Sequence, residues 1–269
     1  MRVVCAAIVF LTMAVPAWSD ARVTVLMDAL RLPELTVIIR AEGLQDADGL
    51  DADLLSGQGG ALWQTQVDAL YNPIRMQELL YAALGDALND DELDQSIAFF
   101  DTVVGQTITE LEIAARRAML DETVQQASAE AYQDLENRND PKAALVAEFI
   151  EANDLLELNV AITLSTSFQF YQGMADGRLV EMSEDDILKE VWASEEKVRQ
   201  DAQAWIYGYF LLAYQPLEQD DLKAYLAFSR SDAGKALNAA LFKGYEDIFQ
   251  EVAYGLGWAV ALNATANDI

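Results

Sequence analysis

Apolar residues recur along this chain at the spacing of an α-helix. Leu222, Tyr225 and Leu226 fall on one helical face, and the stretch Leu93–Phe100 repeats that arrangement. Long segments such as Asp154–Gln172 contain neither Pro nor Gly, and no stretch alternates with period two for long enough to form a sheet. At the usual helix lengths, the pattern predicts an all-α protein of about ten to twelve helices.

Parts of this pattern occur twice in the chain. Leu26–Ile39 matches Phe149–Ile162 at an offset of 123 residues. The stretch Leu93–Ile108 matches Leu222–Leu237 at an offset of 129 residues, and that offset also relates Trp63 to Trp192 and Gly105 to Gly234. Because order and spacing are kept, we interpret the repeat as an internal duplication.

A polar, turn-rich stretch at 136–141 marks the boundary between the copies. Asp140 is a candidate helix cap, and Pro141 suits the first helical position, where a missing N–H costs nothing. We therefore expect a first helical repeat at 20–135 and a second at 140–262, forming two related helical bundles packed together.

The best-matched segments contain a helix–turn–helix corner. In the second copy, Leu222 and Phe228 precede Ser231, which is a candidate N-cap, and Gly234 lies three residues inside the next helix. The first copy places Leu93, Phe99, Thr102 and Gly105 at the equivalent positions. Glycine inside a helix costs about 0.5–1 kcal/mol, so we expect it to permit close approach of the preceding helix, at the ring of Phe99 or Phe228.

Aromatic residues are the second notable feature. Trp63, Trp192, Trp205 and Tyr209 are candidates to line a groove for a peptide or an apolar ligand. Aromatic residues at helical spacing more often form core, however. In Trp205–Tyr214 the apolar residues go all the way round, which favours a buried central helix.

The corner at Leu217–Leu237 resembles a motif of the bacterial exported proteins grouped as domain of unknown function 2059. The resemblance rests on Asp221-Leu222, on Leu226-Ala-Phe228 and on Ser231-Asp-Ala-Gly234-Lys235. Ser229 and Asp232 depart from the Tyr and Pro that the family often has there. The first copy fits more loosely, with Thr102 and Gln106 in place of Ser and Lys. The resemblance implies an exported helical protein, and it supplies no reaction, cofactor or catalytic residue.

The N-terminus and the charge indicate where the protein works. Arg2, the apolar run Val3–Ala17 and the small residues around Trp18 resemble a secretory signal peptide at 1–19, cleaved after Ser19. We therefore expect a periplasmic or otherwise exported protein that is not an integral membrane protein after cleavage. The formal net charge of −28 over 269 residues makes nucleic acid an unlikely partner, because such a surface repels phosphates.

Several chemistries are excluded by composition. The chain has no His, and its one Cys, Cys5, lies in the predicted signal peptide. Catalysis by Ser-His-Asp or Cys-His and the usual zinc sites are therefore impossible in the mature chain. Gly57–Gly60 lacks the Lys and Ser or Thr of a phosphate-binding loop. No cofactor and no metal site is predicted.

Carboxylates are the remaining candidates for chemistry. Glu34 and Glu157 occupy equivalent positions and would suit acid–base work if burial raised their pKa. The simpler interpretation places each in a first helical turn, where the helix dipole favours an anion. The acidic stretch Gln45–Asp53 resembles a calcium loop, but Leu44 and Leu55 would occupy its first and last ligand positions. We interpret it as an acidic turn leading into a short helix.

Two hypotheses of function follow. In the first, the protein is a non-enzymatic periplasmic binding, interaction or chaperone-like module that holds an unknown protein or apolar ligand between its halves. In the second, it is a carboxylate-dependent hydrolase that acts on the cell wall or on another periplasmic substrate.

Overall fold

The structure is a computed structural model that describes residues 17–266. Within that range the chain forms thirteen α-helices and no β-strand, so the all-α prediction is confirmed, with one helix more than expected. Most of the signal peptide predicted at 1–19 lies outside the described residues. The helices are α1 (Ala17–Ala29), α2 (Leu32–Leu54), α3 (Gly60–Leu70), α4 (Pro73–Ala87), α5 (Asp90–Phe100), α6 (Val103–Ala118), α7 (Glu122–Asn137), α8 (Pro141–Ala152), α9 (Leu155–Asp176), α10 (Glu184–Ala193), α11 (Glu195–Tyr214), α12 (Gln219–Ser229) and α13 (Asp232–Ala266).

Side-chain caps define where many of these helices begin. Asp140 accepts hydrogen bonds from the N–H groups of Lys142 and Ala143, with Pro141 at the first helical position of α8, as predicted. Ser183 and Asp186 form a reciprocal capping box at the start of α10. These bonds satisfy N–H groups that have no partner inside the helix.

The α1–α2 and α8–α9 links have the same backbone conformation. Arg31, which precedes α2, has φ 52° and ψ 32°. Asp154, which precedes α9, has the same two angles. The left-handed region costs a non-glycine residue about 1–2 kcal/mol, so the surrounding packing enforces the bend at both places.

The two predicted helix–turn–helix corners also have matching geometry. The Thr102 hydroxyl accepts from the N–H of Gly105 at 3.0 Å, and the Ser231 hydroxyl accepts from the N–H of Gly234 at 3.1 Å. A Cβ on Gly105 would overlap the carbonyl oxygen of Phe99, and one on Gly234 would overlap that of Phe228. The glycines thus admit the preceding backbone, whereas the sequence had suggested the phenylalanine rings.

The two corners meet through their aromatic residues. The rings of Phe99 and Phe228 stack with centroids 4.3 Å apart and planes 9° apart. Leu93 and Leu222, which occupy equivalent positions on α5 and α12, are both buried. Offset stacks of this kind add about 0.5–1.5 kcal/mol to the area that they bury. The stack therefore joins the C-terminal end of α5 to the C-terminal end of α12, next to the two corners.

The hydrophobic cores do not follow the boundary predicted near residue 140. The first core joins residues of α1–α5 to Met174 of α9 and to the length of α13 from Leu237 to Val260. The second core joins residues of α6 and α7 to α8, α9, α11 and α12. The first core therefore takes α13 from the second half of the chain, and the second core takes α6 and α7 from the first half. The division into repeats at 20–135 and 140–262 remains a prediction about sequence.

Helices α9 and α13 pack against each other over the longest contact among residues 17–266, and glycine brings their backbones together. A Cβ on Gly173 of α9 would overlap the carbonyl oxygen of Tyr254 and approach the backbone nitrogen of Trp258. A Cβ on Gly257 of α13 would overlap the carbonyl oxygen of Phe170. Each helix thus lays a glycine against the backbone of the other. Between residues 17 and 266, no helix is both long and apolar enough to cross a membrane.

We predict that Gly105→Ala and Gly234→Ala each lower the free energy of unfolding by about 1–3 kcal/mol, the usual cost of overpacking. Gly49→Ala is the matched control, because Gly49 lies inside α2 with no atom within 4 Å of its Cβ position. That control should raise stability by about 0.5–1 kcal/mol. Urea unfolding followed by circular dichroism measures all three. Equal stability of Gly105→Ala and Gly49→Ala would contradict the close approach.

Candidate functional site

A partly buried acid lies where α6 meets the second half of the chain. Glu112 accepts a hydrogen bond from the hydroxyl of Tyr214 through its Oε1 at 2.6 Å. Tyr225 also lies near this carboxyl group, and the hydroxyl of Tyr209 donates to the backbone carbonyl of Glu112 at 3.1 Å. Burial raises the pKa of Glu112 to about 7, although the neighbouring hydroxyl groups of Tyr214 and Tyr225 act in the opposite direction.

An arginine one turn further along α6 continues this polar cluster. Arg116 donates from Nε to Oε1 of Glu42 at 2.6 Å and from a terminal nitrogen to Oε2 at 2.5 Å. Its guanidinium carbon lies 4.7 Å from the ring centroid of Trp205, which stacks on Tyr209 at 5.1 Å. The side chain is only a quarter exposed. The pair and the cation–π contact therefore tie α2, α6 and α11 together.

Sequence reasoning missed both charged residues of α6, although a signal was present. Glu112 and Arg116 follow Ile108, which is fully buried, at intervals of four residues. They therefore occupy the apolar face of the helix. A charged residue at such a position is buried and needs a partner. The partners could not be identified from sequence, because Tyr214 lies 102 residues from Glu112.

The four aromatic residues predicted as a possible groove do not come together. Trp63 is 2% exposed and belongs to the first core. Trp192 is 65% exposed on α10. Only Trp205 and Tyr209 touch each other, and both pack against the second core. The all-round apolar pattern at 205–214 is explained by that core together with the Glu112 cluster.

A groove exists elsewhere, on the surface between α3 and α13. A cavity of about 510 Å³ is lined by Gln66, Ala69, Leu70, Tyr254, Gly255, Trp258 and Ala259. The side chain of Leu70 packs directly over Gly255. Asn263 donates to the Gln66 side chain at 2.7 Å and so ties the two helices together. We call this the α3–α13 groove.

Large apolar side chains remain exposed in and beside this groove. Trp258 is 39% exposed, and Leu262, one turn further along α13, is 41% exposed. On α3, Leu62 is 57% exposed and lies one turn before Gln66. Contiguous exposed apolar surface next to a concavity is characteristic of ligand-binding and protein-binding sites.

The duplicated carboxylates Glu34 and Glu157 are exposed ion-pair partners. Glu34 lies in the first turn of α2, and a hydrogen bond from Arg117 at 2.7 Å lowers its pKa. Glu157 lies in the first turn of α9, and its hydrogen bonds with Arg199 lower its pKa. Both shifts are opposite to what an acid catalyst needs, so the helix-start interpretation accounts for them better.

The acidic stretch at 45–53 is not a loop. It lies inside α2, which continues to Leu54, so the predicted turn is wrong. Ala47 is buried on the core side of this helix, while Asp48 and Asp53 are exposed. The helical period at Gly43 and Ala47 outweighs the turn propensity of the aspartates. Within residues 17–266, no cluster of acidic or other ligand side chains could hold a metal ion.

Over residues 17–266 the geometry is that of an all-α protein with two interleaved cores, a partly buried acid and an apolar surface groove. Residues 75–134 match a family model described as uncharacterized protein conserved in bacteria (DUF2059). This segment of the chain is therefore similar to that family, which confirms the resemblance inferred from sequence. No curated protein and no solved structure is significantly similar to the chain.

The match falls on the first copy of the repeated pattern. It runs from α4 into α7 and includes the corner with Thr102 and Gly105 as well as Glu112 and Arg116. The second-copy corner at Leu217–Leu237, which fits the motif more closely, lies outside it. The assignment of the clearer motif to the second repeat therefore remains a prediction.

We predict that Glu112 makes stability depend on pH. Its pKa is about 7 in the folded chain and 4.5 in the reference state, so folding favours the protonated acid. The contribution of the protonated acid to the free energy of unfolding is complete below pH 4.5 and is lost as the pH rises through about 7. It amounts to at most about 3 kcal/mol. Urea unfolding at pH 5 and pH 8.5 should show wild type losing stability relative to Glu112→Gln. Parallel pH profiles for the two proteins would contradict the prediction.

Proposed function

We propose that this chain is an exported, non-enzymatic binding or chaperone-like module that holds a protein segment or an apolar ligand in the α3–α13 groove. The observation that carries the proposal is the groove itself, with exposed Trp258 in its wall. Its two walls come from different halves of the chain. A ligand would therefore sit between the halves, as we expect of the binding module inferred from sequence.

The carboxylate-dependent hydrolase is the alternative, and one observation favours it. Glu112 has a pKa of about 7, which suits a group that gives and takes protons near neutrality. Against this, the hydroxyl of Tyr214 already donates to its carboxyl group. Release of soluble fragments from purified cell wall by wild type, and none by Glu112→Gln, would favour the hydrolase over the binding module.

Export is the second part of the proposal and rests on the N-terminal sequence. We predict that the chain recovered from the periplasm begins at Asp20, because the small residues Ala17 and Ser19 frame a cleavage site after Ser19. N-terminal sequencing of the recovered protein measures this. Ala17→Arg should prevent cleavage and leave the longer form. A periplasmic protein that still begins at Met1 would contradict the prediction.

We also propose that the two halves descend from one duplicated helical unit. Three features support this: the repeated sequence pattern, the equal backbone angles at Arg31 and Asp154, and the equal glycine corners. The halves have since diverged, because Trp63 is buried while Trp192 is exposed.

For the groove, we predict that a neutral apolar dye, N-phenyl-1-naphthylamine, binds the wild-type chain and fluoresces. Trp258→Ala should weaken binding about tenfold, which corresponds to about 1.4 kcal/mol, because it removes the exposed wall of the groove. Trp192→Ala is the matched control, since Trp192 is more exposed but lies on α10. Equal loss in both variants, or no binding by wild type, would contradict the groove as the binding site.

A further inference from the structure

The shape of the α3–α13 groove fits another helix. Both walls are helices, and the lining residues of α13 lie on adjacent turns from Tyr254 to Ala259. Together with exposed Leu262, the apolar stripe runs from Tyr254 to Leu262, a rise of about 12 Å along the helix. That length matches two turns of a docked helix that presents apolar side chains at positions i, i+3 or i+4, and i+7.

The charge of the chain restricts what such a helix can carry. With 45 acidic and 17 basic residues, the protein repels a second copy of itself and the anionic surface of a membrane. A cationic partner is attracted at long range instead. The complement of this protein is therefore a segment with Lys or Arg on its polar face.

One carboxylate at the edge of the groove is available for such a charge. Asp176 accepts from the hydroxyl of Tyr254, a lining residue, at 3.0 Å and from the Gln172 side chain at 3.2 Å. It is exposed, and no cation among residues 17–266 forms an ion pair with it. Asp68 of α3 and Glu251 of α13, each within one turn of a lining residue, are already paired with Arg40 and Arg75.

We propose that the α3–α13 groove receives a basic amphipathic helix of a partner protein. The apolar face of that helix packs against Leu70 and Trp258, and a Lys or Arg on its flank pairs with Asp176. The inference rests on the proposed function, since it requires the groove to bind a ligand, and it specifies the class of that ligand.

Two synthetic helical peptides of 18 residues test the proposal. They share one Leu face and differ only in having Lys or Glu at the polar positions. The Lys peptide should bind the full chain, as measured by fluorescence anisotropy, and the Glu peptide should not. Trp258→Ala should weaken binding at least tenfold. Ala69→Lys changes an exposed lining residue without disturbing the core, and it should weaken binding similarly.

The role of Asp176 is tested by removing its charge and, as a control, by removing an equal charge elsewhere. Asp176→Asn should lower the affinity for the Lys peptide about three- to tenfold at low salt and leave dye binding unchanged. Asp48→Asn removes an equal charge from an exposed site on α2 that makes no ion pair in residues 17–266, and it should leave the affinity within twofold of wild type.

The outcomes separate this inference from the proposed function. Equal binding of the Lys peptide to wild type, Trp258→Ala and Ala69→Lys would mean attraction to net charge alone and would overturn the inference. Dye binding without peptide binding would also overturn it, and the groove would stand as an apolar-ligand site. If the wild-type chain binds neither the dye nor the Lys peptide, the proposed function is overturned as well.

Discussion

Helices α9 and α13 lie in backbone contact because each presents a glycine to the other. Gly173 meets the backbone at Tyr254 and Trp258, and Gly257 meets it at Phe170. Any Cβ at these positions would force the helices apart, since backbone atoms cannot move aside as flexible side chains can. The two residues that Gly173 touches also line the α3–α13 groove. The spacing of one helix pair therefore sets the position of the groove wall.

The interleaved cores follow from the same long helix. After the corner at Ser231, α13 leaves α12 and packs along α9 and the helices of the first half, while α6 and α7 pack against α11. Neither half of the chain has a complete core of its own. Glu112 and Arg116 lie where α6 enters the second half, so the polar cluster and the Phe99–Phe228 stack join the same two halves.

The sequence predicted the local structure well, because local structure depends on nearby residues. The caps at Asp140, Thr102 and Ser231 act over three residues, and their bonds are present. The error at 45–53 has the same origin: aspartates favour turns, but the burial of Ala47 depends on distant helices. The site was harder to predict. The sequence does not distinguish Trp258 from the other aromatic residues, and only the fold places it in one groove with Leu70.

The unbroken length of α13 has a mechanical consequence. From Gly234 in the corner to Trp258 in the groove, the chain rises about 36 Å as one hydrogen-bonded rod. A rod of this kind bends little, so a force that tilts its C-terminal end is transmitted to the far end. At that end Gly234 packs against the backbone of Phe228, whose ring stacks on Phe99, so α13 connects the groove wall to the contact between the halves.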